Sequence, residues 1–125
     1  MNATLLVMAG GAAGAALRYH LGRGLTHALG TGFPYGTLAA NLTGGLAMGL
    51  LAGWLARHAS GNEPWRLLLA VGLLGGFTTF SAFSLELTNM IQRGTWSSAA
   101  GYALVSVAGS VLALFAGLAL MRQVA

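Results

Sequence analysis

The chain has 125 residues, 56% of them hydrophobic and 6% charged; a soluble domain carries about a quarter charged residues, so a water-facing globule is excluded and a membrane-embedded protein remains. The formal net charge of +4 comes from six arginines and no lysine set against Glu63 and Glu86, which suits anionic headgroups and an anionic substrate, while the single scattering of the arginines argues against nucleic acid. With no cysteine, disulfide frameworks, thiolate nucleophiles and thiolate metal sites are excluded as well.

The first span is expected over about residues 3–28. No basic segment precedes Leu5–Leu17, so that stretch reads as a retained span rather than a cleaved signal peptide. Its apolar part ends at Arg18, roughly 22 Å along an ideal helix and short of a hydrocarbon core about 30 Å thick. Arg18 therefore either snorkels to a headgroup or lines a wet cavity, because an arginine at the centre of a span costs about 2.5–3.5 kcal/mol. Arg23, His20 and His27 belong to the wet end, the histidines as interfacial residues rather than ligands.

Gly30–Gly36 is a loop with interfacial aromatics Phe33 and Tyr35 around Pro34. The second span, about residues 37–56, has no charge. Gly45, Gly49 and Gly53 recur every fourth residue, as a small-residue packing face does in lipid. Thr37 and Asn41 share a face by the same spacing. The Asn41 amide needs partners at that depth, either as an interhelical hydrogen bond or as a donor to a permeating anion. Spacing alone favours the former.

The polar stretch 57–66 forms the next loop, with Trp54 and Trp65 as interfacial anchors. The third span, about residues 67–91, contains GGFTTFSAFS, Gly75 to Ser84. A plain membrane helix needs no glycine pair, threonine pair and interleaved phenylalanines and serines. The segment reads as a helix broken near its middle. Glu86 falls near the far interface on an unbroken helix, a position that a break at Gly75–Gly76 would change. After a turn at 92–97, the fourth span, about residues 98–121, carries Tyr102, Ser106 and Ser110 on one stripe. Those hydroxyls either bond back to their own helix or line a path.

Four spans place both chain ends on one side. One side holds Arg57, Arg66 and Arg122, and the other Arg18, Arg23 and Arg93. The positive-inside rule then gives no orientation, and two opposite copies can pair as an antiparallel, dual-topology homodimer.

Catalysis is poorly served by these residues: there is no paired carboxylate, no nucleophile set at plausible depth and no metal-ligand cluster. Coupled transport asks for an ionisable group near the midplane, and Glu86 looks peripheral. Passive conduction needs only polar groups along a path and binding weak enough for release. The groups on offer are the hydroxyls of Thr37, Thr79, Ser81, Ser84, Tyr102, Ser106 and Ser110, the Asn41 amide and the rings of Phe80 and Phe83. Hydroxyls and amides donate hydrogen bonds, and ring edges carry positive potential. Phenylalanines three apart on a helix share a face, either as ordinary packing or as a lining. With Arg18 at a mouth, the set suits a small anion.

The chain resembles the Fluc, or CrcB-type, family of fluoride channels over essentially its whole length. The carriers are Arg18 after a glycine-rich first span, GTLAANLTGG at Gly36–Gly45, and GGFTTFSAFSLE at Gly75–Glu86. The resemblance implies an all-α fold, with four transmembrane helices in a single domain over residues 1–125. It implies an antiparallel homodimer with two fluoride pores, the third helix being broken at the glycines near the dimer centre. Backbone carbonyls of Gly75 and Thr78 would hold a structural sodium ion between subunits. Phe80 and Phe83 match the rings whose edges face fluoride, and Asn41 the asparagine that anchors one of them and donates to the ion. Thr37, Tyr102, Ser106, Ser110, Ser81, Ser84 and Glu86 match polar groups along the pathway, and Arg18 matches the vestibule arginine. The implied setting is the bacterial plasma (inner) membrane, with fluoride expelled to relieve toxicity. Two rivals remain on the residues: a small dual-topology multidrug-type cation/proton antiporter, which wants a glutamate in the first span, and a non-transporting assembly subunit, which leaves the polar stripes unexplained.

Overall fold

The computed structural model describes residues 2–58 and 60–124, and all regular structure among them is helical. Helix α1, Ala3–Leu29, starts where the Asn2 side chain accepts the Thr4 N–H at 2.7 Å, a side-chain cap of one end amide. It stops at Gly30, whose φ of 87° turns the chain while its N–H returns to the Thr26 carbonyl at 2.8 Å. Helix α2, Tyr35–Arg57, begins behind Pro34. The Asn62 amide closes its far end by donating to the Leu55 carbonyl at 2.8 Å.

Helix α3, residues 63–77, begins ahead of Leu67, with Pro64 in its first turn and Arg66 Nε donating to Glu63 Oε1 at 2.7 Å. Over Arg66–Leu74 it widens to the π form, and the Gly75 N–H reaches back five residues to the Ala70 carbonyl. Helix α4, Ser81–Gln92, follows the break, and a turn through Gly94 at φ 78° leads into α5, Trp96–Gln123.

Three of these stretches are long and apolar enough to cross a membrane: α2, the α3–α4 run Glu63–Gln92, and α5. Helix α1 has 27 residues, with its two arginines and both of its histidines in the C-terminal half. Register shows how the helices run. Gly10, Gly14 and Gly11 face Leu68, Leu73 and Gly76, so α1 and α3 point the same way. Gly45, Gly49 and Gly53 face Ser110, Leu114 and Met121, so α2 and α5 do too. The glycine repeat expected to pack does pack against α5, Gly45 and Gly49 on its backbone and Gly53 on the Met121 side chain. A Cβ at Gly45 would sit 2.8 Å from the Ser110 carbonyl oxygen. Backbones at this range gain dispersion and weak Cα–H contacts where lipid provides no hydrophobic drive between helices.

The break changes the partner of the third hydrophobic stretch. Helix α3 lies on α1 and α2, whereas α4 lies against α5. The buried cluster beyond the break joins Phe83 and Met90 to Ala99 and Tyr102, with Phe33, Leu38, Leu87 and Ala103 around it.

The break is not at the glycine pair, where the resemblance placed it. Gly75 is helical at φ −61°, ψ −39°, and the first extended residue is Thr78 at φ −90°, ψ 160°. Gly76 serves close approach instead: a Cβ there would lie 2.6 Å from the Gly11 carbonyl oxygen.

Glycine substitutions separate these roles. At Gly117 a Cβ would lie 2.5 Å from the Leu46 carbonyl oxygen and 2.7 Å from the Leu50 nitrogen, whereas at Gly101 it meets nothing within 4 Å. Gly117→Ala is expected to destabilise by about 1–3 kcal/mol through overpacking. Gly101→Ala is expected to be neutral or to stabilise by up to about 1 kcal/mol through helix propensity. Thermal unfolding of the purified proteins in detergent compares the two; equal effects would remove the packing argument.

Candidate functional site

The site begins with two N–H groups at the break. In a continuous helix the Thr79 N–H would reach the Gly75 carbonyl, and the Ala82 N–H the Thr78 carbonyl. Here Thr79 N–H donates to Asn41 Oδ1 at 2.8 Å, and Asn41 Nδ2 donates back to the Thr79 carbonyl at 2.9 Å. Ala82 N–H donates to Thr79 Oγ1 at 3.1 Å, so the Thr79 side chain caps α4. The carbonyls of Gly75 and Thr78 thereby lose their helical donors. The Gly76 carbonyl accepts Arg18 Nε at 3.4 Å. Arg18, half-buried, thus reaches inward to the break. Of the two readings open for Asn41, the interhelical bond is present, and it uses one amide N–H of the two that asparagine owns.

Around this clamp lies an open groove of about 510 Å³. Its polar wall is Asn41, Thr78, Thr79, Ser106 and Ser110, joined by Gly75 and the Phe80 ring. Ser110 Oγ donates to the Asn41 carbonyl at 3.3 Å. Ser106 Oγ is buried and has no hydrogen-bond partner among the described residues, a state that costs about 1–3 kcal/mol in an apolar interior.

The two phenylalanines share a row but not an environment. Phe80 caps α4 from outside it and is 75% exposed, while Phe83 is 6% exposed. Their ring centroids are 5.7 Å apart with planes at 44°. The row continues from Phe83 to Tyr102 at 5.1 Å and from Tyr102 to Phe33 at 5.4 Å, the last pair edge to face. Both readings of the phenylalanines therefore find a residue: Phe83 packs in the core, and Phe80 lines the groove.

At the other end of the row, Tyr102 OH donates to Glu86 Oε1 at 3.2 Å, and the Thr37 side chain also reaches that hydroxyl. Thr37 and Asn41 thus address two sites along one face of α2. Glu86 also lines a second cavity of about 190 Å³ with Thr26, Thr31, Asn89 and Arg93. Ser84 Oγ donates to its own helix at the Phe80 carbonyl, 2.9 Å away, the local bonding common for serine. Ser81 is exposed, with its hydroxyl 3.4 Å from Thr79 Oγ1.

The fold therefore gathers Asn41, Gly75, Thr78, Thr79, Phe80, Ser106 and Ser110 at the groove, and Thr37, Tyr102 and Glu86 at the far end of the aromatic row. It sets Ser81 and Ser84 on the first turn of α4 and Arg18 behind the break. Sequence reasoning did not anticipate the Asn41 grip on the Thr79 backbone, because the partners are 38 residues apart and backbone atoms leave no pattern. It also passed over Asn89, and counted Arg93 only in the charge balance. Their signal was an amide and a cation just past Glu86.

The family described as "CrcB-like protein, Camphor Resistance (CrcB)" matches residues 5–118 of the chain. A protein of Phenylobacterium zucineum named "Fluoride-specific ion channel FluC" is 62% identical over 125 residues, 99% of this chain and 98% of its own. A protein of the same name from Novosphingobium aromaticivorans is 56% identical over the full length of both chains. A third, from Caulobacter vibrioides, is 51% identical over 99% of this chain and 98% of its own. On that extent of match, this chain belongs to the CrcB-like family.

Proposed function

We propose that this protein is a fluoride-selective passive channel that lets fluoride leave the cell. The observation that carries the reading is full-length similarity to proteins named as fluoride-specific channels. The groove agrees with it in chemistry: an amide with an uncommitted N–H, a buried hydroxyl without a partner, a second hydroxyl and an exposed ring border one space. Fluoride is small and strongly hydrated, so donors must replace its water. The edge of Phe80 adds weak attraction without trapping the ion. The start of α4 faces the break with the positive end of its dipole, as interrupted membrane helices do toward anionic cargo. Weak, multiple contacts let an ion leave as readily as it enters.

In this reading α1 is the fourth span, and the protein works as an antiparallel homodimer with two pores in the bacterial inner membrane. The equal split of arginines between the two ends supports insertion both ways up. The sodium expected from the resemblance fits the chemistry at the break. The Gly75 and Thr78 carbonyls have lost their helical donors, and in a membrane such groups need another partner. Gly75 is also exposed. Those two carbonyls, with their counterparts from a second copy, would hold the ion, which would supply positive charge to satisfy them and join the subunits. Hydrogen fluoride enters cells as a neutral molecule and ionises inside. A channel then lets a negative-inside potential expel the anion, at about 2.3 kcal/mol per charge per 100 mV.

Fluoride efflux from liposomes containing the purified protein tests the reading. Rapid fluoride release with chloride retained is the expected result; no release, or equal release of both, ends it. Phe80→Ile is expected to lower the fluoride rate roughly tenfold, the equivalent of about 1.4 kcal/mol of ring-edge attraction, with the oligomer intact on size-exclusion chromatography. Asn41→Ala is expected to abolish conduction and to lower stability by about 2 kcal/mol, from two lost hydrogen bonds at the break. A thermal midpoint equal to wild type would show that the clamp does not hold the break. Replacing sodium with a bulky organic cation is expected to raise the monomer fraction in detergent; an unchanged dimer would remove the structural ion.

A further inference from the structure

The cavity beside Glu86 is separate from the groove at the break and is touched by the aromatic row at its other end. Glu86 lines it and accepts the Tyr102 hydroxyl. Phe33 lines it and meets the Tyr102 ring edge to face. The remaining polar lining comes from three elements: Thr26 of α1, Thr31 of the following loop, and Asn89 with Arg93 at the end of α4. A carboxylate at this place lowers the local concentration of any anion that approaches. Arg93 carries the opposite charge into the same cavity. Among the described residues the one salt bridge joins Arg66 to Glu63, so the Arg93 guanidinium is not locked onto Glu86. It is exposed, so its field acts through water and is screened by salt.

We infer that this cavity is an anion-collecting mouth, in which Arg93 offsets the Glu86 charge and raises the local fluoride concentration. Thr26, Thr31 and Asn89 supply donors that hold the ion loosely until it passes to the Tyr102 end of the row. The inference rests on the channel reading above and adds a recruiting charge to it. Its scale follows from Coulomb's law: one unit charge about 6 Å away in water changes an anion's local population roughly threefold. That is a rate effect of electrostatic focusing, and it leaves selectivity to the groove.

Single-channel recording in planar bilayers tests this, at fixed fluoride with potassium gluconate varied. Screening lengths fall from about 30 Å at about 10 mM to about 3 Å at about 1 M salt. At the low end, Arg93→Gln is expected to reduce fluoride conductance roughly threefold. Arg93→Glu should reduce it further and Arg93→Lys should keep it near wild type. The gap between Arg93→Gln and wild type should narrow steadily as salt rises. Equal conductance of Arg93→Gln and wild type at low salt would overturn the inference. So would a deficit that persists at high salt, because a structural role, unlike a recruiting charge, is not screened. Wild-type protein that passes no fluoride would instead remove the channel reading itself.

Discussion

The reciprocal hydrogen bonding between the Asn41 amide and the Thr79 backbone is the interaction on which the rest of the site depends. It takes one N–H out of the helical ladder and returns a donor to the carbonyl of the same residue. A helix in lipid resists such interruption because every freed polar group needs a new partner. Here several groups near the clamp find partners of different kinds. Thr79 Oγ1 takes the Ala82 N–H, Arg18 takes the Gly76 carbonyl, and Thr78 Oγ1 returns to the Leu74 carbonyl. The carbonyls of Gly75 and Thr78 are among those that lose their helical donors. The break is thus a specified structure rather than a weak point in a span.

The clamp depends in turn on backbones lying close together. Asn41 reaches the break because a small-residue face lets α2 nest beside its neighbours. A Cβ at Gly44 would run into the Thr78 methyl group, and one at Gly45 into the α5 backbone. Helix α5 then brings Ser110 onto the Asn41 carbonyl and Ser106 to the groove wall. Beyond the break, α4 leaves the α1 side and settles on α5, which sets Phe83 on Tyr102 and the Tyr102 hydroxyl on Glu86. One bend therefore produces both ends of the polar arrangement, the open groove and the carboxylate-lined cavity.

Much of this was legible in the residues. Spans α2 and α5 followed from their apolar lengths, and their packing face from the glycine spacing at Gly45, Gly49 and Gly53. That Asn41 required a partner followed from its depth, and an interruption within Gly75–Ser84 followed from a composition no plain span needs. The position of the break was not legible. Glycine signals permission to bend, yet the helix continues through Gly75 and Gly76, and at Gly76 the small size serves approach to α1. The bend falls where a distant side chain competes for the N–H. Periodicity put Phe80 and Phe83 on one face, but the same bend takes Phe80 out of the helix and leaves one ring exposed and the other buried. Ser84 was a candidate by type, and its hydroxyl is turned to its own backbone.

The amino-acid sequence by itself determined what is periodic and local: a helical, membrane-embedded chain, its spans, its packing stripes and the family it resembles. Hydrophobicity and small-residue spacing act through contacts that every turn repeats, so they can be counted along the chain. Tertiary structure alone decided which atoms meet across long separations. It placed the stretch Gly75–Ser84 as two halves, a helical glycine pair with Gly76 against α1 and a Thr78–Phe80 corner held open by Asn41. Which N–H loses its helical acceptor depends on how close another helix brings an amide, and that distance is written in no single segment.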